Sequence, residues 1–360
     1  MSTIQDVARH AGVSISTVSN VLNGRVDRMR GETLARVEAA IAALGFTPNR
    51  AARQLKTGRT SMLGLLVPSI ANPMYGFIAR EIETSAQERF GHRVLLGNTY
   101  RNKEKETGFF DDLLAQGVRG VIVISSLVDE AHFESAVERG LVMVSYDRRA
   151  TPDTGSGIDH VSVDNFMAAR LAARHLIGRG HRRLAFATAS GQTMSRSEKI
   201  RGFLAAATEA GVGSTASVVD RRTFSEYGDA EMAEVGRALA QDISRLSRRP
   251  TGIVAVNDML AFGLMAGFRD AGLAVPDDIS VIGIDGLFLS SLVTPALTTI
   301  ALPVARMART MVERVIGRLA DAQIPTGEFL FQPALVERDS VGPPSRPVGA
   351  AGRSSNPGRT

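Results

Sequence analysis

Four side chains near the amino terminus have the types and spacing that suit contacts with DNA bases. Ile15, Ser16, Thr17 and Asn20 fall on the outward face of a predicted helix. Three of them carry hydroxyl or amide groups, and the isoleucine offers an apolar contact, such as one to a thymine methyl group. A helix with such a face fits the major groove of a duplex. The chemistry indicated is recognition of double-stranded DNA.

The elements that would present this face form a helix-turn-helix. Thr3 can cap a first helix, Asp6 stands three residues on as the acidic variant of a capping box, and Gly12 is a natural helix stop. Ser14 can cap the second helix. Apolar spacing predicts a third helix over residues 31–44. Any small helical bundle could show this pattern, so a purely structural role stays open at this point.

A short basic segment follows the third helix. Thr47 as the cap and Pro48 as the first helical residue predict a helix of about two turns, which is too short to persist alone in water. Leu55 lies beside Arg53 and Lys56. The alternative role for Leu55, an ordinary core leucine, fits such basic neighbours poorly.

These residues resemble the LacI/GalR family of bacterial transcription regulators. The matching motifs are Thr3-Ile4-Gln5-Asp6-Val7-Ala8, Gly12-Val13-Ser14, Thr17-Val18-Ser19, Val21-Leu22-Asn23 and Asn49-Arg50-Ala51-Ala52-Arg53-Gln54-Leu55, and the resemblance continues to about Val341. It implies a hinge helix that folds on DNA, pairs with its twin from a second subunit and inserts Leu55 between base steps of the minor groove. The DNA-binding residues it implies are Thr3, Ser14, Ile15, Ser16, Thr17, Asn20, Arg28, Asn49, Ala52, Arg53, Leu55 and Lys56.

Charge is concentrated at the amino terminus. Residues 1–60 hold nine Lys and Arg against four Asp and Glu, whereas the rest of the chain holds equal numbers of each sign. A basic head is typical of an anion-binding module, whose affinity for DNA falls steeply with salt. The chain has no cysteine, no secretory signal and no apolar run near the ~20 residues of a membrane span. We therefore expect a cytoplasmic protein without a membrane partner.

Beyond residue 60 the pattern changes to alternating strands and helices. Eight short apolar runs between residues 62 and 284 predict strands, and eight amphipathic stretches predict helices. This alternation predicts an α/β fold of doubly wound parallel sheets. A single large sheet is possible, but the resemblance implies a two-lobe, periplasmic-binding-protein-like core behind the all-α helix-turn-helix head.

The predicted domains follow from the same observations. Residues 1–46 form the DNA-binding head, residues 47–60 the hinge, and residues 61–341 the effector-binding and dimerisation domain. By resemblance, the first lobe takes residues 61–162 and 293–323, and the second takes residues 163–292 and 324–341. Residues 342–360, rich in Gly, Pro, Ser and Arg, predict a disordered tail.

A ligand site is expected where the predicted strands end, because open parallel sheets bind ligands outside the carboxyl ends of their strands. Hydrogen-bonding, charged and aromatic residues at these ends suit a sugar-like molecule. Asp and Asn there often only cap the next helix, which is the alternative for each. The candidate effector-binding residues are Asn72, Met74, Tyr75, Asn98, Ser125, Asp147, Arg148, Arg196, Lys199, Phe224, Asn257, Asp258 and Asp285.

One of these positions departs from the family pattern. Lys199 stands where the family often has Arg, three residues before Gly202-Phe203. Lysine offers a point charge instead of a planar fork, so bidentate recognition is weakened. Either the effector carries a negative charge, as a sugar acid or sugar phosphate does, or the sensing of small molecules is altered.

Catalysis and cofactors find no support in the sequence. The six histidines are scattered, and no phosphate loop, dinucleotide motif or nucleophile–base pattern occurs. We therefore expect no enzyme activity, no metal and no cofactor.

The expected function, by resemblance, is that of an effector-controlled transcription regulator, most often a repressor in this family. It would act on operator DNA as a homodimer, and a tetramer is left open. The alternatives are a two-lobe solute receptor without a transcriptional role and a sugar-modifying enzyme.

Overall fold

The computed structural model describes residues 2–22, 25–27, 29–47, 60–125, 131–147, 157–223 and 228–345. The chain divides into two compact units, residues 1–60 and 61–360. Within the described residues, none of the helices combines the length and apolarity that a membrane span needs.

The first unit contains the three predicted helices. They are α1 (Ile4–Ala11), α2 (Ile15–Leu22) and α3 (Gly31–Ala43). The capping box is formed as predicted: the Asp6 amide donates to Thr3 Oγ1 (3.2 Å) and the Thr3 amide donates to Asp6 Oδ2 (2.9 Å). Gly12 ends α1 in the left-handed conformation, with φ +63°. Val7, Val18 and Val37 are fully buried between the helices.

The second unit holds two six-stranded sheets flanked by helices. The first lobe begins with β1 (Met62–Val67), α4 (Pro73–Phe90), β2 (Arg93–Asn98), α5 (Lys103–Ala115), β3 (Gly120–Ile124), α6 (Ala131–Glu138), β4 (Val142–Tyr146) and β5 (Ile158–Val163). The second lobe follows with α7 (Asn165–Gly178), β6 (Leu184–Ala189), α8 (Met194–Glu209), a 3₁₀ turn (Gly213–Thr215), β7 (Ala216–Arg221), α9 (Met232–Ser244), β8 (Gly252–Ala255), α10 (Asp258–Asp270), β9 (Ser280–Asp285), a 3₁₀ turn (Phe288–Ser291) and β10 (Thr298–Ala301). The chain ends with α11 (Val304–Ala320), β11 (Glu328–Phe331) and β12 (Ala334–Val336).

Strand order confirms the doubly wound α/β class. The first sheet runs β11-β5-β4-β3-β1-β2 and the second β12-β10-β9-β8-β6-β7. All the pairings are parallel except that of β12 with β10. Most buried apolar residues fall into two clusters in the first lobe and one in the second, and Leu287 of the second lobe joins one of the first-lobe clusters.

Two of the three expected crossing points are corrected by the strand pairing. The first crossing follows Val163, close to its expected position. β10 still pairs with β9, so the return to the first lobe follows Ala301 and not residues 292–295. β11 pairs with β5, so the third crossing follows Phe331 and not Ile324. These strands have three or four residues, too few to show a periodic pattern in the sequence.

Helices α9 and α10 of the second lobe pack closely against each other. A Cβ at Gly263 in α10 would lie 2.0 Å from the Ala233 carbonyl oxygen in α9, and one at Gly236 in α9 would lie 2.2 Å from the Leu260 carbonyl oxygen. Only glycine permits this approach. The amino termini of α9 and α10 are thereby held in a fixed relation.

Candidate functional site

A cleft of about 600 Å³, part of it open to solvent, lies between the two lobes. Its walls come from segments that follow the carboxyl ends of strands in both sheets, as the strand-end rule predicts. The lining residues are Met74, Tyr75, Arg101, Tyr146, Asp147, Asn165, Thr193, Ser195, Arg196, Lys199, Asp229, Met232, Val256, Asn257, Asp285 and Leu302.

Two carboxylates reach the cleft from opposite lobes. Asp147 follows β4 with a positive φ of +64°, and its Oδ1 accepts a hydrogen bond from Asn165 Nδ2 at 2.5 Å. Asp285 ends β9 and is only 7% exposed. Burial raises the pKa of Asp285 well above its usual value, and the nearby Lys199 opposes this rise. The cleft can thus offer hydrogen-bond acceptors, and Asp285 can also donate when protonated.

Two cationic side chains face the cleft from one helix. Thr193 caps α8, with its Oγ1 accepting from the Arg196 amide at 3.2 Å. Arg196 and Lys199, three residues apart on the same helical face, are both more than nine-tenths buried. Lys199 Nζ donates to the Val256 carbonyl oxygen (3.2 Å), and Arg196 donates to the Gly191 carbonyl oxygen. Burial lowers the pKa of Arg196, while Asp229 opposes that effect.

An ion pair closes another part of the cleft. Arg101 Nε donates to Asp229 Oδ2 at 2.7 Å, and Arg101 Nη2 donates to Asp229 Oδ1 at 3.2 Å. The hydroxyl of Tyr75 donates to Asp229 Oδ1 at 2.9 Å. Burial raises the pKa of Tyr75 well above its usual value, and Asp229 adds to this rise. The phenol is therefore a neutral hydrogen-bond donor at physiological pH.

Seven of the predicted effector positions line the cleft: Met74, Tyr75, Asp147, Arg196, Lys199, Asn257 and Asp285. Two others, Arg148 and Phe224, lie outside the described residues. Four are not among the lining residues: Asn72, Asn98, Ser125 and Asp258.

Two of these four have structural roles, and Asn72 has the capping role that was the alternative for strand-end Asp and Asn. Asn72 caps α4, with its Oδ1 accepting from the Met74 amide at 3.0 Å. Asp258 is fully buried and accepts hydrogen bonds from the Leu287 amide (2.8 Å) and the Thr299 hydroxyl (2.5 Å). Burial raises the pKa of Asp258 to about 6. Asp258 therefore connects α10 to the segment after β9 and to β10.

Several lining residues were missed by sequence reasoning. Arg101 lies three residues beyond the end of β2, Asp229 eight beyond β7, and Asn165 two beyond β5. A wider window after each predicted strand would have included Arg101. Tyr146 is the last residue of β4, and burial raises its pKa well above its usual value. The strand-end rule considers residues that follow a strand, so it does not include this phenol.

The predicted base-reading face of the head is accessible to solvent. Ser14, Ile15, Ser16 and Asn20 are exposed, and Thr17 is half-buried. Ser14 caps α2, because its Oγ accepts from the Thr17 amide at 3.1 Å. Thr3 is exposed at the start of α1. The other predicted DNA contacts, Arg28, Asn49, Ala52, Arg53, Leu55 and Lys56, lie outside the described residues.

Metal chemistry gains no support from the part of the chain that the structure describes. Within those residues, no group of three or more His, Asp or Glu side chains could hold a metal ion.

Sequence comparison matches both units to known families. Residues 3–49 match the bacterial regulatory proteins of the lacI family, and residues 173–341 match a periplasmic binding protein-like domain. The chain is 34% identical to the HTH-type transcriptional regulator DegA of Bacillus subtilis (strain 168) over 350 residues, covering 95% of this chain and 98% of DegA. It is 31% identical to the HTH-type transcriptional regulator GalR of Salmonella typhimurium (strain SL1344) over 349 residues, covering 96% of this chain and 97% of GalR.

Structure comparison agrees with the sequence match. A crystal structure of the lac repressor dimer bound to operator and the anti-inducer ONPF superimposes with a TM-score of 0.80 at 27% identity. The match covers 95% of this chain and 99% of the lac repressor chain. The similarity therefore spans the head as well as the two lobes.

Proposed function

This chain belongs to the lacI family of bacterial transcription regulators, and we propose that a small sugar-like or sugar-acid effector in the cleft sets its affinity for operator DNA. The observation that carries the proposal is the cleft itself. Both lobes line it, so a ligand there changes the angle between the lobes. Its acceptors Asp147 and Asp285 and its donors Arg196 and Lys199 are all suited to hydroxyl-rich ligands.

The head supplies the DNA contacts in this proposal. The outward face of α2 would lie in the major groove, where Ile15 and Ser16 choose the half-site. Two heads of a homodimer would read a near-palindromic operator. The hinge, with Leu55 as the wedge between base steps, belongs to the same proposal and rests on the sequence motif.

The cationic pair on α8 refines the class of effector. A carboxylate or phosphate would gain charge-assisted hydrogen bonds from Arg196 and Lys199. A neutral sugar would use the same groups as ordinary donors. Sugars and sugar acids are therefore the first compounds to test, followed by sugar phosphates.

The proposed oligomeric state, location and lack of catalysis follow from a role in which the protein binds an effector and DNA. The protein would act as a homodimer in the cytoplasm, where operator DNA lies, and it would bind its effector without converting it. A solute receptor without a transcriptional role is not favoured, because the relatives are transcription regulators along nearly their whole length.

A direct test combines a ligand screen with DNA binding. A thermal-shift screen of sugars, sugar acids and sugar phosphates identifies stabilising compounds, and fluorescence anisotropy then measures affinity for genomic fragments with and without each compound. We expect tight binding to one genomic sequence over random duplex, and a change in that affinity with a stabilising compound. Equal affinity for genomic and random duplex under all conditions contradicts the proposal.

A further inference from the structure

The ion pair between Arg101 and Asp229 joins the two lobes across the cleft. Arg101 belongs to the first lobe, between β2 and α5, whereas Asp229 belongs to the second, between β7 and α9. The guanidinium and carboxylate meet in a bidentate arrangement, with the N–O distances of 2.7 and 3.2 Å given above. The pair therefore exists only when the lobes are close together.

Tyr75 completes a closed set of hydrogen bonds. Its hydroxyl donates to Asp229 Oδ1 at 2.9 Å and accepts from Arg101 Nη2 at 3.0 Å. The side chains of Arg101 and Asp229 are only 6% and 12% exposed. Attraction between charges is screened less in such a setting than at the surface, and separating the lobes must break three directed contacts together.

The backbone on both sides holds the partners in place. Tyr100 and Arg101 have positive φ angles of +54° and +56°, a conformation that costs free energy for residues with a Cβ. Gly228, directly before Asp229, has φ +70°, and a Cβ there would lie 2.9 Å from Thr223 Cγ2. Backbone of this kind at both partners indicates that their positions are determined by the fold.

We propose that Arg101, Tyr75 and Asp229 form a latch that holds the two lobes together across the cleft. The latch favours the closed cleft over the open one, and any effector acts on that balance through its different affinity for the two states. This inference rests on the proposed function for its regulatory meaning. The latch itself consists of contacts within the chain, so it can be tested without an effector.

The experiment uses the absence of cysteine from the chain. Cysteines introduced at the exposed Glu104 in α5 and Glu234 in α9 carry one spin label in each lobe. Labelled full-length chain is co-assembled with an excess of unlabelled chain, so that a dimer holds at most one labelled subunit. Pulsed electron paramagnetic resonance then gives the distribution of distances between the two spin labels, without ligand and without DNA. We expect Asp229→Asn to shift this distribution to longer distances, and Tyr75→Phe to shift it less.

Asp270→Asn is the matched control. Asp270 pairs with Arg237 at 2.6 Å, but both residues lie within the second lobe, in α10 and α9. This variant should keep the parent distribution. A circular dichroism melt of each variant establishes that it is folded, and Arg101→Met tests the same contact from the other lobe if Asp229→Asn does not fold.

An unchanged distribution in folded Asp229→Asn or Arg101→Met overturns the latch. That outcome leaves the proposed function standing, because the measurement contains no DNA and no effector. Conversely, failure of operator binding leaves the latch result valid.

Discussion

Asp159 is fully buried on β5, and Arg314 of α11 donates to its Oδ1 from both Nε (3.0 Å) and Nη2 (2.8 Å). Arg318, one turn further along α11, donates to Oδ2 at 3.2 Å, and the Gly327 amide donates to Oδ1 at 2.9 Å. The Asp159 carboxylate thus connects α11 and the segment before β11 to the first sheet. The first lobe depends on this contact because it is built from two separate stretches of sequence.

Replacing Asp159 should destabilise the protein strongly. Asp159→Ala leaves two guanidinium groups without their buried carboxylate, and breaking one side of a buried ion pair costs about 3–5 kcal/mol. The free energy of unfolding from urea titration, followed by circular dichroism, measures this loss. Asp111→Ala is the control, since Asp111 and Arg139 form an exposed pair at 2.6 Å that contributes about 1 kcal/mol or less. Similar losses of unfolding free energy in Asp159→Ala and Asp111→Ala would contradict this structural role of Asp159.

Removal of Asp285 should separate ligand response from DNA affinity. Asp285→Ala deletes a cleft carboxylate at the carboxyl end of β9, so a compound that alters operator binding of the parent protein should lose that effect. Operator affinity without ligand should stay unchanged, because the head is untouched. Fluorescence anisotropy with and without the compound measures both. Asp277→Ala, an exposed position before the amino end of β9, should respond as the parent does. A normal response from Asp285→Ala would show that the ligand binds elsewhere.

Stability should fall in mild acid through His181. Its Nδ1 lies 2.9 Å from Thr251 Oγ1 and its Nε2 lies 2.9 Å from the Gly342 carbonyl oxygen. Burial lowers the pKa of His181 below the usual 6.5, although the bond to Gly342 opposes this shift. The unfolded chain therefore binds the proton more readily, so the contribution is complete above about pH 6.5 and decreases as pH falls below it.

The measurement for His181 is the free energy of unfolding between pH 5 and 8. His181→Asn should be less stable than the parent at pH 8 and should lose less stability on acidification. His92→Asn, at a surface turn where the ring contacts the Phe90 carbonyl, is the control and should keep the parent profile. A steeper acid loss in His181→Asn than in the parent would be inconsistent with a neutral buried histidine. His175, whose pKa is also lowered by burial, would account for the acid loss that remains.

Local signals in the sequence were enough for the head and for most of the elements. Thr3, Asp6 and Gly12 mark helix ends through contacts with residues three or four positions away, and β1 and α11 begin and end at their predicted residues. The rule that ligands bind at strand ends brought Asp147 and Asp285 together, although they are far apart along the chain, and the family resemblance added Lys199. Local pattern, general topology and the family resemblance were sufficient for these residues.

The interlobe contacts could not be predicted in this way. Arg101 and Asp229 are 128 residues apart, and their pairing depends on how far two lobes close. Asp258 could not be distinguished from a ligand-binding residue, because a buried carboxylate near a strand end that accepts hydrogen bonds from Leu287 and Thr299 has the same sequence signal as one that faces the cleft. β5 and β10 to β12 were not predicted. β10 to β12 are short and gain their order from their neighbours in the sheet, and β5 has three polar residues that interrupt any apolar run.

Leu55, outside the described residues, gives a prediction that rests on the sequence motif. As a wedge between base steps it acts only where the hinge is ordered on its specific site, so Leu55→Ala should weaken binding to the operator by tenfold or more, about 1.4 kcal/mol, and barely change binding to random duplex. Non-specific affinity depends on the basic side chains, and in the parent protein and Leu55→Ala it should fall with salt at the same slope.

Lys56→Ala is the matched control: it should weaken both kinds of binding and reduce the salt slope by about one. Fluorescence anisotropy at several salt concentrations yields all of these quantities. Equal losses of Leu55→Ala on operator and random duplex would assign this leucine to general packing and not to the kinking of DNA.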